Sequence, residues 1–328
     1  MHGKYSHLTE EERYMIAVLK AKERTLSDIA REIGRHKSTI SRELHRNAPA
    51  IHKGYYLSHK AQERAMVHWA LTHKRERLKN QEVRKYVETC LRKGWSPEMI
   101  AGRLSIDKPG ESISHEAIYQ YIYETRKELI PCLVRRHRKR MEKGHSRKHQ
   151  KSHIPNRVSI LERPKIVEKR ERIGDWETDS IVSRQSKVAI NVLADRKSRV
   201  TRLKKLQQKT AENTKLAILG SLGKYPVNCR YTITYDNGSE NTEHEETNKM
   251  LDTKSYFCEP YHSWEKGTVE NTIGIIRRFL PKKTDLAEVS EGEILEIEAW
   301  LNNRPRKCLN YKTPLEVWEK ERSVALAG

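Results

Sequence analysis

A block of positive charge divides this chain of 328 residues and limits how it can fold. Residues 135–153 contain nine lysines and arginines against a single acid, Glu142. Such a block repels itself and cannot bury a core, so we predict a basic linker over residues 135–160. His149 and His153 lie four residues apart within it, but the surrounding positive charge argues against a metal site.

The charge of the whole chain favours a polyanionic partner. Lysine plus arginine number 65 and aspartate plus glutamate 44, which gives a formal charge of +21. Neutralising phosphates releases counterions, so an excess of this size favours nucleic acid. The sequence has no run of 18 apolar residues and no apolar signal segment at its start, and we expect a cytoplasmic, nucleoid-associated protein. The five cysteines are widely spaced and form no CxxC pair, which argues against disulfides and structural zinc.

Residues 1–52 have the pattern of a helix-turn-helix unit. The stretch TLSDIAREIGRHKSTISRELHRN begins with a helix that Ser27 is predicted to cap, and Gly34 then makes a tight turn. A second helix opens at Ser38 and packs on the helix Glu10–Ala21. The side chains predicted to meet duplex DNA in the major groove are Lys37, Ser38, Thr39, Ser41, Arg42 and Arg46. The alternative is a small helical bundle with a solvated basic face.

Two further helical regions precede the linker. Residues 53–93 are predicted to be a helical connector, with packing positions at Ala61, Ala65, Trp69 and Leu71. Residues 94–134 are predicted to be a second helix-turn-helix-like unit that starts at Ser96-Pro97. Packing alone explains this second unit almost as well as DNA contact does.

After the linker, strands and helices alternate in the manner of a mixed α/β domain. Three predicted strands are followed by helix, strand, helix, strand and helix, which is the order of a ribonuclease-H-like sheet. We therefore predict an α/β ribonuclease-H-like catalytic domain preceded by all-α helix-turn-helix domains. The catalytic core is assigned to residues 161–285 and a C-terminal helical tail to residues 286–328.

Three acids stand at the positions where this fold would gather metal ligands. Asp179 is predicted to begin the first strand, Asp236 ends the fourth, and Glu270 lies on the helix after the fifth. Strands one and four are neighbours in such a sheet. Carboxylates suit Mg²⁺, a hard cation, and two ions hold the attacking and leaving oxygens of a phosphoryl transfer. We predict two Mg²⁺ ions, with Mn²⁺ as a substitute, on Asp179, Asp236 and Glu270.

The chain resembles the insertion-sequence-30 family of DDE transposases over nearly its whole length. The matching stretches are IAREIGRHKSTISRELHRN, WSPEMIAGRL, GDWETDSIV, TYDNGSEN, YFCEPYHSWEKGTVENTIGIIRRFLPKKTD and LNNRPRKCLNYKTPLEVW. The resemblance places the family's catalytic acids on Asp179, Asp236 and Glu270. It implies hydrolysis at the ends of a mobile element, then joining of the freed 3′-hydroxyl to target DNA.

Neighbouring residues depart from the family or have supporting roles. The family usually has glycine where this chain has Thr178 and often asparagine where it has Val269, but neither departure removes a metal ligand. Asp175 and Glu177 compete with Asp179 for the first ligand position. The supporting residues are Asn237 and Gly238 in the turn after Asp236, Trp264, Asn271 and Arg277. For Trp264, core packing is preferred and stacking on an unpaired base is the alternative.

Holding two element ends together implies a homo-oligomer, at least a dimer. Two other functions remain open at this point. One is a DNA-binding regulator whose catalytic domain is inactive, and the other is a ribonuclease-H-like nuclease that cuts without joining strands.

Overall fold

The computed structural model describes residues 7–47, 55–73, 78–133, 154–260 and 262–327. The predicted basic block, with His149 and His153, lies outside these residues. The chain forms two compact units, Met1–Lys79 and Asn80–Gly328. Among the helices of the described residues, none is long and apolar enough to cross a membrane.

The first unit is helical. Its helices are α1 (Glu10–Ala21), α2 (Leu26–Ile33), α3 (Lys37–Asn47) and α4 (Ser58–His73). Thr9 and Glu12 form a capping box at the start of α1. Thr25, and not Ser27 as predicted, caps α2, because its hydroxyl accepts from the backbone N–H of Asp28. Gly34 ends α2 in the left-handed region at φ 72°, which glycine adopts without strain.

A buried ion pair fixes these helices around their apolar core. Ile16, Ile29 and Ile40 fill the core, and Arg13 donates to Glu43 at 2.9 Å beside it. Among the described residues of α4, only those of the first turn pack into this core, where Ala61 is buried. Trp69 and Leu71 lie further along α4 and are exposed, so the prediction that they pack was wrong.

The second unit begins with three helices, α5 (Gln81–Arg92), α6 (Pro97–Asp107) and α7 (His115–Gln120). Ser96 caps α6 with a proline at its first position, as the sequence predicts. This helical segment contacts the end of the chain, since Arg103 donates to Glu316 at 2.6 Å.

A five-stranded mixed sheet organises the rest of the second unit. Its strands are β1 (Asp175–Val182), β2 (Ala189–Asp195), β3 (Thr201–Leu206), β4 (Thr232–Tyr235) and β5 (Lys254–Phe257). The helices around it are α8 (Lys165–Lys169), α9 (Ala211–Leu222), α10 (His244–Leu251), α11 (Gly267–Ile276), α12 (Glu291–Asn302) and α13 (Pro314–Ala327). The strand order is β3-β2-β1-β4-β5. β2 runs antiparallel to β1 and β3, whereas β4 is parallel to β1 and β5. Strands one and four are neighbours, as predicted.

Helices cover both faces of this sheet. On one face Trp176, Ile218 and Trp318 belong to one core, and on the other Ile181 and Val269 belong to a second. All seven residues of β2 are buried because its two faces are both covered. The sheet therefore fixes β1 and β4 side by side, and side chains on β1 and directly after β4 keep defined positions relative to one another.

Candidate active site

Alternate residues of β1 carry three acids, and two of them serve the fold. Asp175, Glu177 and Asp179 share one face of the strand because side chains alternate. Asp175 accepts hydrogen bonds from Arg172 at 3.0 Å and from the Thr232 hydroxyl at 2.8 Å. It thus joins β1 to β4 at the base of the sheet.

Glu177 is fully buried and is held at both oxygens. Arg196 donates to one oxygen at 2.6 Å and the backbone N–H of Val269 donates to the other at 2.9 Å. This contact fixes the first turn of α11 against β1. Both competitors of Asp179 are therefore occupied by structural partners.

Asp179 and Asp236 converge on one buried lysine. Lys266 Nζ lies 3.3 Å from Asp179 Oδ2 and 3.4 Å from Asp236 Oδ2, and it donates to the carbonyl of Thr178 at 3.1 Å. The Lys266 side chain is only 4% exposed, whereas Asp179 is 24% and Asp236 40% exposed. Asp179 lies in the middle of β1 and not at its start, because the strand begins four residues earlier than predicted. We call these three residues the acidic cleft.

The loop after β4 aims the second aspartate. Asp236 Oδ1 accepts from the backbone N–H of Gly238 at 3.2 Å and from the side-chain amide of Asn241 at 2.7 Å. Asn237 accepts from Arg157 and donates to the carbonyl of Cys258, each at 2.8 Å.

Gly238 has an ordinary backbone angle, with φ at −76°, so its place in this loop is a matter of space. A Cβ atom at this position would meet the carboxylate of Glu240, at the end of a flexible side chain. Glu240 is itself buried and paired with Lys209 at 2.5 Å. A side chain at residue 238 would therefore require Glu240 to move away from its present position.

Opposite charges set the ionisation of the acidic cleft. Burial alone would raise the pKa of Asp236, but the charge of Lys266 and the N–H of Gly238 lower it overall. Burial alone would lower the pKa of Lys266, but the charges of Asp236 and Asp179 raise it overall. The cleft therefore favours an ionised Asp236 and a protonated Lys266.

Glu270 is exposed on α11, one helical turn after Lys266. Among the described residues, no three His, Cys, Asp or Glu side chains lie together as a ready-made metal-binding group. The structure thus brings two of the three predicted ligands together and leaves the third on the adjacent helix.

The donor chemistry of the cleft fits a divalent cation. Two carboxylates already point at a single positive group, and carboxylate oxygen is the ligand that Mg²⁺ prefers. Both aspartates also keep exposed surface, so an ion and a phosphate have access to them.

Three predicted supporting residues take different positions around α11. Trp264 is 68% exposed and stacks on the ring of His262 with a centroid separation of 4.4 Å, so the preference for core packing was wrong. It lies in a short 3₁₀ turn before α11, outside both cores of the sheet. Asn271 lines a cavity beside α11. Arg277 follows the last residue of α11 and donates to the carbonyl of Val182 at 2.9 Å.

The predicted recognition helix is α3. Lys37, Ser38, Ser41, Arg42 and Arg46 are exposed, and Thr39 is half-buried. Arg42 donates to the carbonyl of Ser38 at 3.0 Å and to its hydroxyl at 3.2 Å. The helix therefore offers one polar, basic face to solvent while Ile40 holds the other face in the core.

Sequence reasoning missed Lys266 and Asn241, which both touch the predicted ligands. Lys266 stands four residues before Glu270, a spacing of one helical turn, and this was the available signal. Asn241 carries no comparable signal, because its role depends on how the loop after β4 folds back.

A helix-turn-helix unit followed by a mixed sheet of this strand order defines a DNA-binding protein with a ribonuclease-H-like domain. Residues 4–47 match the sequence model of a helix-turn-helix domain family. The chain is 40% identical to the transposase for insertion sequence element IS4351 of Bacteroides fragilis, covering 98% of this chain and 99% of the relative. It is 37% identical to the transposase InsI for insertion sequence element IS30A of Escherichia coli, covering 98% and 85%. The chain belongs to the insertion-sequence-30 family of transposases.

The catalytic core domain of BIV integrase was also matched. It superposes with a TM-score of 0.37 at 21% identity, and the match covers 46% of this chain and 97% of that domain.

Proposed function

We propose that this protein binds the terminal inverted repeats of an insertion sequence, hydrolyses DNA at the element ends and joins the 3′-hydroxyl to target DNA. The observation that carries the proposal is the convergence of Asp179 and Asp236 on one cation position, within a chain of a transposase family.

We assign the metal to this position and name its protein ligands as Asp179, Asp236 and Glu270. Two bound Mg²⁺ ions, or Mn²⁺ in their place, would supply a nucleophile at neutral pH and neutralise charge on the phosphate. Asp179 is held rigidly by the sheet, and Asp236 is aimed by Gly238 and Asn241. Glu270 is on α11, whose first turn is tied to Glu177 through Val269.

Lys266 holds the two aspartates close together in the metal-free protein, and its charge lowers the pKa of Asp236. Two carboxylates this near one another would repel without a cation between them. The lysine therefore preorganises the ligands at the cost of competing with the metal for them.

The DNA contacts are assigned to the two units separately. In the first unit, α3 reads base edges through its exposed residues, Arg42 and Arg46 among them. In the second unit, the exposed stack of His262 and Trp264 provides a surface for an unpaired base near the cleaved end. Because two ends are processed together, we propose that the protein acts as a homo-oligomer, at least a dimer.

A strand-transfer assay tests this function. Short duplexes that carry one element end are incubated with the full-length protein, Mg²⁺ and a target plasmid. We expect Asp179→Asn, Asp236→Asn and Glu270→Gln each to bind ends normally and to lose cleavage. Metal-bound charge stabilisation is worth several kcal/mol, so the loss should be roughly 10²–10⁴-fold.

Asp252→Asn is the matched control for these substitutions. Asp252 is exposed at the end of α10 with φ 53°, a conformation that asparagine tolerates, and the variant should cut normally. Cleavage at the wild-type rate by Asp236→Asn would contradict the ligand assignment. Cleaved ends that never join a target would favour a nuclease, and end binding without Mg²⁺-dependent nicking would favour a regulator.

A further inference from the structure

A cavity of about 250 Å³ lies beside the first turns of α11, apart from the acidic cleft. Its wall consists of Arg170, Arg199, Gly267, Thr268, Asn271, Thr272 and Arg306. Among these described residues there is no acid and no aromatic ring. We call this the arginine cavity.

Two arginines in its wall have unfilled hydrogen-bonding capacity. Arg306 is 8% exposed, and its Nε has no hydrogen-bond partner within the part of the chain that the structure describes. Its Nη2 donates to the carbonyl of Leu301, at the long distance of 3.5 Å. Arg199 donates to the Thr268 hydroxyl at 2.7 Å, while its own buried Nε likewise has no partner among the described residues.

The positive charges in the arginine cavity oppose one another. Burial lowers the pKa of Arg170, and the charge of Arg199 lowers it further. Burial also lowers the pKa of Arg306, again with a contribution from Arg199. Glu177 and Glu168 are the acids that act on Arg170, but Glu177 is already held by Arg196 and Glu168 by Arg163. The cavity therefore lacks a neutralising anion of its own.

We propose that the arginine cavity is a phosphate-binding site and that it takes a backbone phosphate of the bound DNA. Guanidinium groups match phosphate oxygens with paired, charge-assisted hydrogen bonds. Thr268 and Asn271 add neutral polar groups to the wall. The cavity wall offers no ring on which a base can stack, so the structure favours the phosphate over a nucleobase.

The position of the cavity fits duplex DNA that is held at the acidic cleft. Thr268, Asn271 and Thr272 lie on one side of α11, and the helical period places Glu270 on the other side. A helix with its side chains is about 10–12 Å across, which is comparable to the width of a DNA groove. One helix would thus contact the duplex on both of its sides. This site rests on the proposed DNA binding, and phosphate binding in EDTA is measured without any contribution from a metal.

The first test measures phosphate binding without metal. The full-length protein is melted in EDTA with inorganic phosphate or with chloride at equal ionic strength. We expect phosphate to raise the Tm of the wild type and to leave Arg170→Gln and Arg306→Gln unchanged. Lys169→Gln is the matched control, since this exposed neighbour pairs with Glu171 at 3.6 Å and does not line the cavity. An equal Tm gain in Arg170→Gln, which removes an exposed and readily replaced side chain, would overturn the site.

The second test identifies the source of the phosphate. Affinity for an end-containing duplex is measured in EDTA over a range of salt concentrations. Loss of one phosphate contact should reduce the slope of log K against log salt by about 0.9 in Arg170→Gln and not in Lys169→Gln. If phosphate stabilises the protein but the slope is the same in both variants, the cavity binds the free ion only and the DNA assignment fails.

Discussion

The acidic cleft and the arginine cavity both adjoin the start of α11, but only the cleft contains its own countercharge. In the cleft, Lys266 lies within 3.4 Å of both aspartates, so the protein supplies the countercharge itself. In the cavity, Arg170, Arg199 and Arg306 face one another and no wall residue is an acid. The cleft is thus preorganised for a cation that replaces the lysine. The cavity is left with a charge that its ligand must neutralise.

Structural ion pairs can be separated from binding sites by whether their charged groups already satisfy each other. Glu177 and Arg196 are buried together at 2.6 Å and satisfy each other, so neither needs a ligand. The aspartates of the cleft and the arginines of the cavity keep access to solvent or unfilled hydrogen-bonding capacity. A ligand should therefore change the free energy of unfolding through the aspartates of the cleft and through the arginines of the cavity. It should not do so through the pair of Glu177 and Arg196.

The largest effect is expected for the structural pair. Glu177→Gln removes the close buried partner of Arg196 and leaves this arginine paired with Glu168 at 3.6 Å. Breaking a buried pair of this kind costs about 3–5 kcal/mol of unfolding free energy. Chemical denaturation should show the same loss in EDTA and in Mg²⁺. A loss that is larger in Mg²⁺ than in EDTA would mean that Glu177 is itself a metal ligand and would undo the distinction.

A second comparison sets α3 against the arginine cavity. Arg42→Ala should weaken binding to the correct end by about 1–3 kcal/mol and leave binding to unrelated duplex nearly unchanged, because α3 is assigned to base edges. Arg170→Gln should weaken both equally. Lys60→Ala, an exposed residue on α4 that pairs with Glu63 at 3.0 Å, is the control in the first unit. If Arg42→Ala lost the same affinity for both duplexes, Arg42 would contact a phosphate and not a base edge.

The third prediction concerns the lysine of the cleft. Lys266→Met removes the cation between the aspartates and should cost about 1–2 kcal/mol in EDTA, less than a fully buried pair because Asp236 is 40% exposed. Mg²⁺ should restore most of this loss, since the ion takes over the countercharge. Melting curves in the two buffers check this, and a loss that Mg²⁺ does not change would make Lys266 a purely structural residue.

The smallest change in unfolding free energy is expected for Arg306→Gln when chloride is the anion present. Arg306→Gln removes packing but also relieves repulsion with Arg199, so unfolding free energy should change by less than about 1 kcal/mol. Denaturant titration in chloride measures this directly. A loss of several kcal/mol would show that Arg306 stabilises the fold without any anion.

The sequence predicts the sheet and two of its acids well, for physical reasons. Period-2 and apolar patterns mark the strands, and the adjacency of β1 and β4 follows from the fold that this order of elements predicts. Asp179 and Asp236 could be selected because they stand at strand positions that this adjacency brings together. Glu270 stays a prediction, supported by its place on α11.

Side-chain environments were harder to predict, since they depend on contacts distant in sequence. Trp264 has an apolar ring, which predicts burial, but it lies in a turn outside both cores and is exposed. Leu216 is an apolar residue of α9 that is exposed, because that helix buries Ile218 and Leu222 instead. The arginine cavity could not be predicted at all. Its three arginines are dispersed among 65 basic residues, and only the fold selects them.

Calorimetric titration of the full-length protein with Mn²⁺ measures directly whether the acidic cleft binds metal. We expect saturable binding to the wild type and to Asp252→Asn. In Asp236→Asn we expect a loss of affinity larger than the roughly 10–100-fold that removal of an outer hydrogen-bond partner of a metal ligand costs. Equal Mn²⁺ affinity in the wild type and Asp236→Asn would contradict the assignment of the acidic cleft as the metal site.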